Sequence, residues 1–239
     1  MDLERILKAA ATYGLALTPE QGLLFEKYFY ILRSYNQRYN LTRITKEEQV
    51  LEEHFLDPLI ALAKGIQPGG EELLDLGTGA GFPGIPLKIY RPKISLTLLD
   101  SSAKKITFIE ALLRELGLAQ VFTLQMRGED YGRGEGRESC SWITARAFAP
   151  LNVALEIALP LLRRGGLFWA FKGPNYKYEL DEAEEILLRC GGQLQEVCSY
   201  SLSQAQKKRF LLVFKKVNEA EARFPRKAGL PQKRPIGTK

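Results

Sequence analysis

The sequence predicts an α/β protein: a doubly flanked, mostly parallel sheet of seven strands, the last antiparallel, preceded by a helical extension. Three observations lead there. From Leu73 onward, short apolar strands alternate with amphipathic helices, the pattern of a parallel sheet covered on both faces. The first strand runs into a glycine-dense turn that opens a helix, LLDLGTGAGFPGIPL, Leu73 to Leu87. The last two strands are separated only by the polar stretch SLSQAQKKR and therefore pair with each other at one edge.

Residues 1–65 contain no convincing strand and read as an N-terminal helical extension. Leu3, Ile6, Leu7 and Ala10 form one helical face, Thr18-Pro19 opens a longer helix to about Tyr39, and Thr45 with Glu48 resembles a capping box. Residues 66–218 carry the alternation, with strands expected at 73–76, 95–100, 120–124, 142–147, 167–171, 193–199 and 210–216. A helix follows the second strand, because Ile106, Ile109, Leu112, Leu113 and Leu116 recur at helical spacing. Residues 219–239 form a basic tail.

With 239 residues and 45% hydrophobic content, the chain can bury one substantial core. No apolar run reaches the length of a membrane span, and the start MDLERILKAA is too charged for a signal peptide. A cytoplasmic protein without membrane contact is expected. Cys140, Cys190 and Cys198 have neither zinc-ligand spacing nor an even count, so they read as small core residues, with no metal site or disulfide framework. The net charge of +6 is unevenly placed: from Gln204 to Lys239 there are eleven Lys or Arg against two Asp or Glu. That end, reading RFPRKAGLPQKRPIGTK, suits a phosphate backbone better than a core of its own.

Two cofactor templates fit the glycine turn. Gly79, Gly81 and Gly84 spell the dinucleotide pattern G-x-G-x-x-G, while Asp75, Gly77, Gly79 and Gly81 spell D-x-G-x-G-x-G. A pyrophosphate needs free N–H groups at the helix start, and Pro83 and Pro86 remove two of them. Asp75 at the strand end adds a negative charge that suits the sulfonium and amino groups of S-adenosylmethionine. The second template, motif I of the Rossmann-like class I S-adenosylmethionine-dependent methyltransferases, is therefore favoured, with Phe82 beside the turn. Asp100 ends the second strand about 20 residues further on, where a carboxylate accepts ribose hydroxyls; Ser101 and Ser102 follow it at the helix start.

Ligands of open α/β sheets bind at the carboxyl ends of strands. Gly128 and Glu129 after the third strand, Arg146 at the end of the fourth and Lys172 after the fifth thus join the candidate site. Arg146, flanked by Ala145, Ala147 and Phe148, is a charge with no packing reason to be there. Arg146 and Lys172 are the candidates for acting on the substrate.

These residues together make the chain resemble the bacterial small-subunit ribosomal RNA methyltransferase G family, also called glucose-inhibited division protein B. The resemblance rests on Tyr39-Asn40-Leu41-Thr42, the H-x-x-D-P-L box from His54 to Leu59, the glycine loop from Asp75 to Leu87, Leu98 to Ser101, Arg127 to Glu129, Arg146 to Ala149, and Pro225 to Pro231. Tyr35 stands where the family commonly has tryptophan, and Gly128 where alanine is usual. The resemblance implies S-adenosylmethionine as cofactor and methyl transfer to N7 of one guanine of 16S rRNA, in a loop near the decoding site. It implies cofactor contacts at Gly77, Phe82, Asp100 to Ser102, Gly128, Glu129 and Arg146. The partner is then 16S rRNA, the small ribosomal subunit or its assembly intermediate, and the enzyme a monomer.

The chemistry is consistent with these residues. N7 of neutral guanine carries a lone pair and no proton, so transfer needs alignment and no general base. His54, the sole histidine, falls outside the catalytic half and pairs with Asp57 at i, i+3, which suggests a structural contact. An arginine fork to O6 and N7 would block the attacking nitrogen, so recognition uses O6 and the Watson–Crick edge of an unpaired or flipped base. Phe82, Phe148, Trp169 and Phe171 are the stacking candidates. Competing readings are a small-molecule methyltransferase, a nucleotide-dependent oxidoreductase and a non-catalytic RNA-binding module.

Overall fold

A computed structural model describes residues 1–202 and 207–237. The apolar alternation produces β1 (Glu72–Leu76), β2 (Ser95–Asp100), β3 (Val121–Gln125), β4 (Cys140–Arg146), β5 (Leu162–Lys172), β6 (Gly192–Leu202) and β7 (Lys207–Lys216). All lie in one sheet of order β3-β2-β1-β4-β5-β7-β6. The pairs among β1 to β5 are parallel, and β7 runs antiparallel to both β5 and β6. The chain reverses strand order between β1 and β4, the place where an open sheet of this kind leaves a crevice for ligands. Residues 203–206, the middle of the polar stretch before β7, lie outside the described residues, as do Thr238 and Lys239 of the tail.

The N-terminal helices are α1 (Leu3–Thr12), α2 (Pro19–Tyr39), α3 (Glu47–Gln49), a π-helical segment Val50–Leu56, and α4 (Asp57–Ala63). The Thr18 hydroxyl and the Gln21 side chain cap α2 reciprocally, and Pro19 fixes its first turn. The box expected at Thr45 and Glu48 does not form: Lys46 occupies the N-cap of α3 without a side-chain bond. The chain runs on into the π-helical segment, every residue of which is buried, so burial decides this stretch over local capping.

Helices α5 (Gly84–Tyr90) and α6 (Ala103–Leu116) share one face of the sheet with the N-terminal helices, and Phe25, Phe55, Phe108, Leu98 and Trp142 meet there in one buried cluster. The other face is covered by α7 (Gly128–Arg133), α8 (Leu151–Leu161) and α9 (Tyr176–Arg189), around Leu76, Ile143, Leu155 and Phe214. The three cysteines are free and buried, as small core residues. Trp142 and Trp169 sit side by side on β4 and β5, fully buried, with ring centroids 4.8 Å apart in an edge-to-face arrangement.

The C-terminal segment, expected to lie along a phosphate backbone and to form no core of its own, packs in part on the body of the protein. Phe224 is buried in the second cluster with Ala220. The Arg226 guanidinium donates to both carboxylate oxygens of the buried Glu156, at 2.8 and 2.6 Å. The Asn152 side chain donates to the Ile236 carbonyl, and short helix α10 (Leu230–Lys233) lies on α8. The arginine nearest the core is therefore paired with protein and not free for a phosphate; Lys227, Lys233 and Arg234 stay outside.

Candidate functional site

Loop geometry between β1 and α5 begins the site. The amides of Gly77 and Thr78 both donate to the Leu99 carbonyl, at 2.9 and 3.0 Å, and the Gly79 amide donates to Asp100 Oδ2 at 3.0 Å. Gly77 has φ +70, and a Cβ there would come within 2.3 Å of the Phe148 ring. Gly81, at φ +96, leaves equally little room beneath the Tyr28 hydroxyl. The sequence expectation that Asp75 faces the cofactor is corrected. Its carboxylate is fully buried and accepts from Thr78 Oγ1 at 2.6 Å, the Gly84 amide at 3.0 Å and Thr144 Oγ1 at 3.2 Å. Asp75 lines neither of the cavities described below and instead ties the glycine loop to β4. Burial pushes its carboxyl up to about 6 against the opposing effect of those three donors.

At the carboxyl ends of β1, β2 and β3 lies a cavity of about 240 Å³. Asp100, Ser101, Gly128, Glu129 and Gly77 line it, with Met126, Phe148 and Ile157 as its apolar wall. Asp100 is positioned by the Gly79 and Ser102 amides and by Lys105 Nζ at 3.1 Å. Ser102 holds the N-cap place of α6 without a side-chain bond, so its contribution is this amide. Glu129 is buried, and its Oε1 accepts from the Gly229 amide at 2.9 Å. An acidic strand end, a glycine turn that a Cβ would fill and an apolar slot are what a nucleoside requires. These residues fit the adenosine half of S-adenosylmethionine.

A second cavity of about 540 Å³ adjoins the first, and Gly77, Lys105 and Ala147 line both. Ala147 holds φ +52 at the end of β4, a left-handed backbone unusual for alanine and located where the two spaces meet. Arg146 reaches into the larger cavity and is held from the N-terminal side. Its Nη1 donates to the Glu53 carbonyl and to Asp57 Oδ2 at 3.4 Å, and its Nη2 lies 2.9 Å from His54 Nδ1. Because arginine only donates, His54 Nδ1 accepts, and Nε2–H donates to Thr42 Oγ1 at 2.8 Å. Burial and the neighbouring Arg146 charge push the His54 imidazole down to about 2, so it is neutral. His54 stacks on Phe82 at 4.3 Å, and the Arg146 guanidinium lies over the same ring at 5.3 Å.

Asp57, fully buried, also accepts from the Tyr200 hydroxyl at 2.7 Å, and Glu53 accepts from Lys207 and Arg209. Burial pushes the Asp57 carboxyl up against the pull of Arg146. Lys172 lines the larger cavity, with its Nζ donating to the Ala149 carbonyl at 3.0 Å and to Glu179 at 2.6 Å. Gly79 and Phe82 line it too. Of the stacking candidates, Phe82 and Phe171 face this cavity and Phe148 the smaller one, while Trp169 is interior.

The structure thus brings Arg146, Lys172, Phe82, Gly77 and Gly79 around one cavity and Asp100, Ser101, Gly128 and Glu129 around its neighbour. It leaves Gly81 as a packing glycine. It also corrects the placement of His54 outside the catalytic half: the H-x-x-D box is packed on the end of β4 and orients Arg146. Tyr200, Glu179 and Arg209 carry no mark in the sequence, while Asp57 is marked there only by its i, i+3 pairing with His54 and its place in the H-x-x-D box.

Comparison with known proteins agrees with this arrangement. Residues 21–211 match the family model described as rRNA small subunit methyltransferase G. The chain is 40% identical to the Ribosomal RNA small subunit methyltransferase G of Desulforamulus reducens, over 98% of this chain and 99% of that one. It is 41% identical to the protein of the same name from Alkaliphilus oremlandii, over 99% and 100%. In fold it is similar to an S-adenosylmethionine-dependent methyltransferase from Aquifex aeolicus, with TM-score 0.53, 18% identity and coverage of 74% of this chain and 97% of that one. Similarity extends to the M. jannaschii TYW2 structure in complex with AdoMet, with TM-score 0.54, 14% identity, and coverage of 73% and 80%. The match to the family model over residues 21–211 and 40% identity over nearly the whole length of both chains, on a seven-stranded sheet with a nucleoside cavity at its glycine turn, place this chain in the rRNA small subunit methyltransferase G family of S-adenosylmethionine-dependent rRNA methyltransferases.

Proposed function

We propose that this enzyme methylates N7 of one guanine of 16S rRNA, in a loop near the decoding site, acting as a monomer in the cytoplasm on the small ribosomal subunit or its assembly intermediate. The observation that carries this reading is the junction of a nucleoside-sized cavity with a larger one at Gly77, Lys105 and Ala147. S-adenosylmethionine, when bound, supplies a methyl group on a sulfonium centre. Asp100 and Glu129 hold the ribose and adenine side, and Gly77 lets the backbone come close.

The guanine occupies the larger cavity, unstacked from its strand, because a base inside a helix cannot present N7 to a pocket. N7 brings its own lone pair, so no side chain has to remove a proton. That suits a site whose histidine is neutral and already occupied at both ring nitrogens. Lys172 is a pure donor and suits the guanine O6. Arg146 is fixed by His54, Asp57 and the Glu53 carbonyl, so its remaining surface is a rigid wall that aligns the reacting atoms and leaves N7 free. Phe82 is clamped under His54 and closes the floor.

The test is transfer of labelled methyl to small subunits lacking the modification, with mapping by cleavage chemistry specific for N7-methylguanine. One labelled guanine in 16S rRNA is expected. Label on another base, on another ring atom or on a small molecule in preference to rRNA refutes the assignment.

A further inference from the structure

Two residues of the C-terminal segment reach the nucleoside cavity. Gly229 and Gln232 line it together with Gly77, Glu129, Phe148 and Ile157. The Gly229 amide is the hydrogen-bond donor that orients the Glu129 carboxylate, across one hundred residues of sequence. Gly229 itself holds φ +79, the left-handed conformation that turns the chain toward Glu129 as α10 begins. This placement is locked from behind: the Arg226 amide and guanidinium all donate to Glu156, Phe224 is buried, and Asn152 holds the Ile236 carbonyl. The Gln232 side chain is exposed at the rim, so its carboxamide is free to turn toward a ligand.

We propose that the segment from Arg226 to Gly237 is the outer wall of the adenosine pocket, with the Gly229 amide aiming Glu129 and the Gln232 carboxamide reading the N6/N7 edge of adenine. A carboxamide presents one donor and one acceptor side by side. That edge of adenine presents the complement, an N6 amino donor next to the N7 acceptor. Hypoxanthine, with an oxygen in place of N6, presents two acceptors there and mismatches the same carboxamide. The basic segment therefore acts first on the cofactor, and its outward-facing Lys227, Lys233 and Arg234 remain available to RNA.

The proposal rests on the nucleoside cavity being the cofactor site, and the experiment separates the two. Isothermal titration of S-adenosylhomocysteine and S-inosylhomocysteine is made into the full chain, the Gln232→Ala variant and a chain lacking residues 229–239, each checked by circular dichroism. The full chain should bind the adenosine compound and discriminate against the inosine one by about tenfold or more. Gln232→Ala should weaken adenosine binding by roughly 5- to 30-fold and lose most of that discrimination, and the truncation should weaken binding further. Unchanged affinity and discrimination in Gln232→Ala overturn the proposal, as does weaker binding with discrimination intact, since that is a structural effect alone. If the full chain binds neither compound, the cofactor-site assignment itself fails.

Discussion

Replacing Asp75 by asparagine isolates the cost of keeping an ionised carboxylate inside the sheet. Burial raises the Asp75 carboxyl from 3.8 to about 6 even though Thr78, Thr144 and the Gly84 amide donate to it. In the unfolded chain the same group titrates at its ordinary value. Between about pH 4 and pH 6 the folded protein therefore retains a proton that the unfolded chain has released, and stability falls as pH rises through that window. A difference of about 2 pH units corresponds to ~3 kcal/mol, fully lost by pH 7. The carboxamide of the variant has no such titration. The measurement is urea unfolding of both proteins from pH 4 to pH 7, with the stability of the native sequence minus that of Asp75→Asn as readout. That difference should fall by ~2.4 kcal/mol across the range, because at pH 4 the unfolded carboxyl is already more than half ionised, whatever its absolute value. A flat difference refutes the reasoning. A rise with pH does so more sharply, because it means that the three donors outweigh burial and hold the carboxyl below its ordinary range.

Other perturbations test the remaining parts of the site. Arg146→Ala leaves Asp57 buried with Tyr200 as its remaining partner, so it should cost about 3–5 kcal/mol of stability and lower methyl transfer by at least about 100-fold. Calorimetry and single-turnover assays measure these, and near-native turnover removes Arg146 from the site. Gly77→Ala sets a Cβ against the Phe148 ring at a φ of +70 and should reduce S-adenosylmethionine affinity by at least about tenfold in titration calorimetry. Glu156→Ala strips Arg226 of its buried partner and should cost about 3 kcal/mol while exposing Arg226 and Lys227 to trypsin; an unchanged digestion rate means the segment is held by other contacts.

Most of the fold was legible because its signals are local. Apolar runs bounded by glycine and polar turns mark strands, and the absence of a helix between the last two required the antiparallel edge. The glycine loop, Asp100 and Arg146 were legible for a related reason: in an open sheet, position along a strand fixes which end faces the crevice. What escaped depends on partners distant in sequence. Asp75 reads as a cofactor ligand until Thr144, on another strand, is seen donating to it. Arg226 reads as a phosphate contact until Glu156 is seen on the helix beneath it. The π-helical segment carries no local mark, since its wide turn is set by the burial of Val50 to Leu56 among neighbouring helices. His54 was noticed, yet its task depends on where β4 ends, which only the packing of the two parts reveals.

The two indoles on β4 and β5 make this chain its own spectroscopic probe. The sequence contains two tryptophans, and both are wholly shielded from water in the seam between strands and N-terminal helices. Their emission should accordingly be blue and should shift to the red when that seam opens. Neither ring lines a ligand cavity, so cofactor or RNA arriving at the site leaves the emission maximum in place. Held edge to face, the pair should also contribute an exciton couplet in the far-ultraviolet circular dichroism that is lost once the strands separate. Light emitted by the native protein thus reports the integrity of the strand pair that carries Arg146, with no label introduced and no interference from ligands.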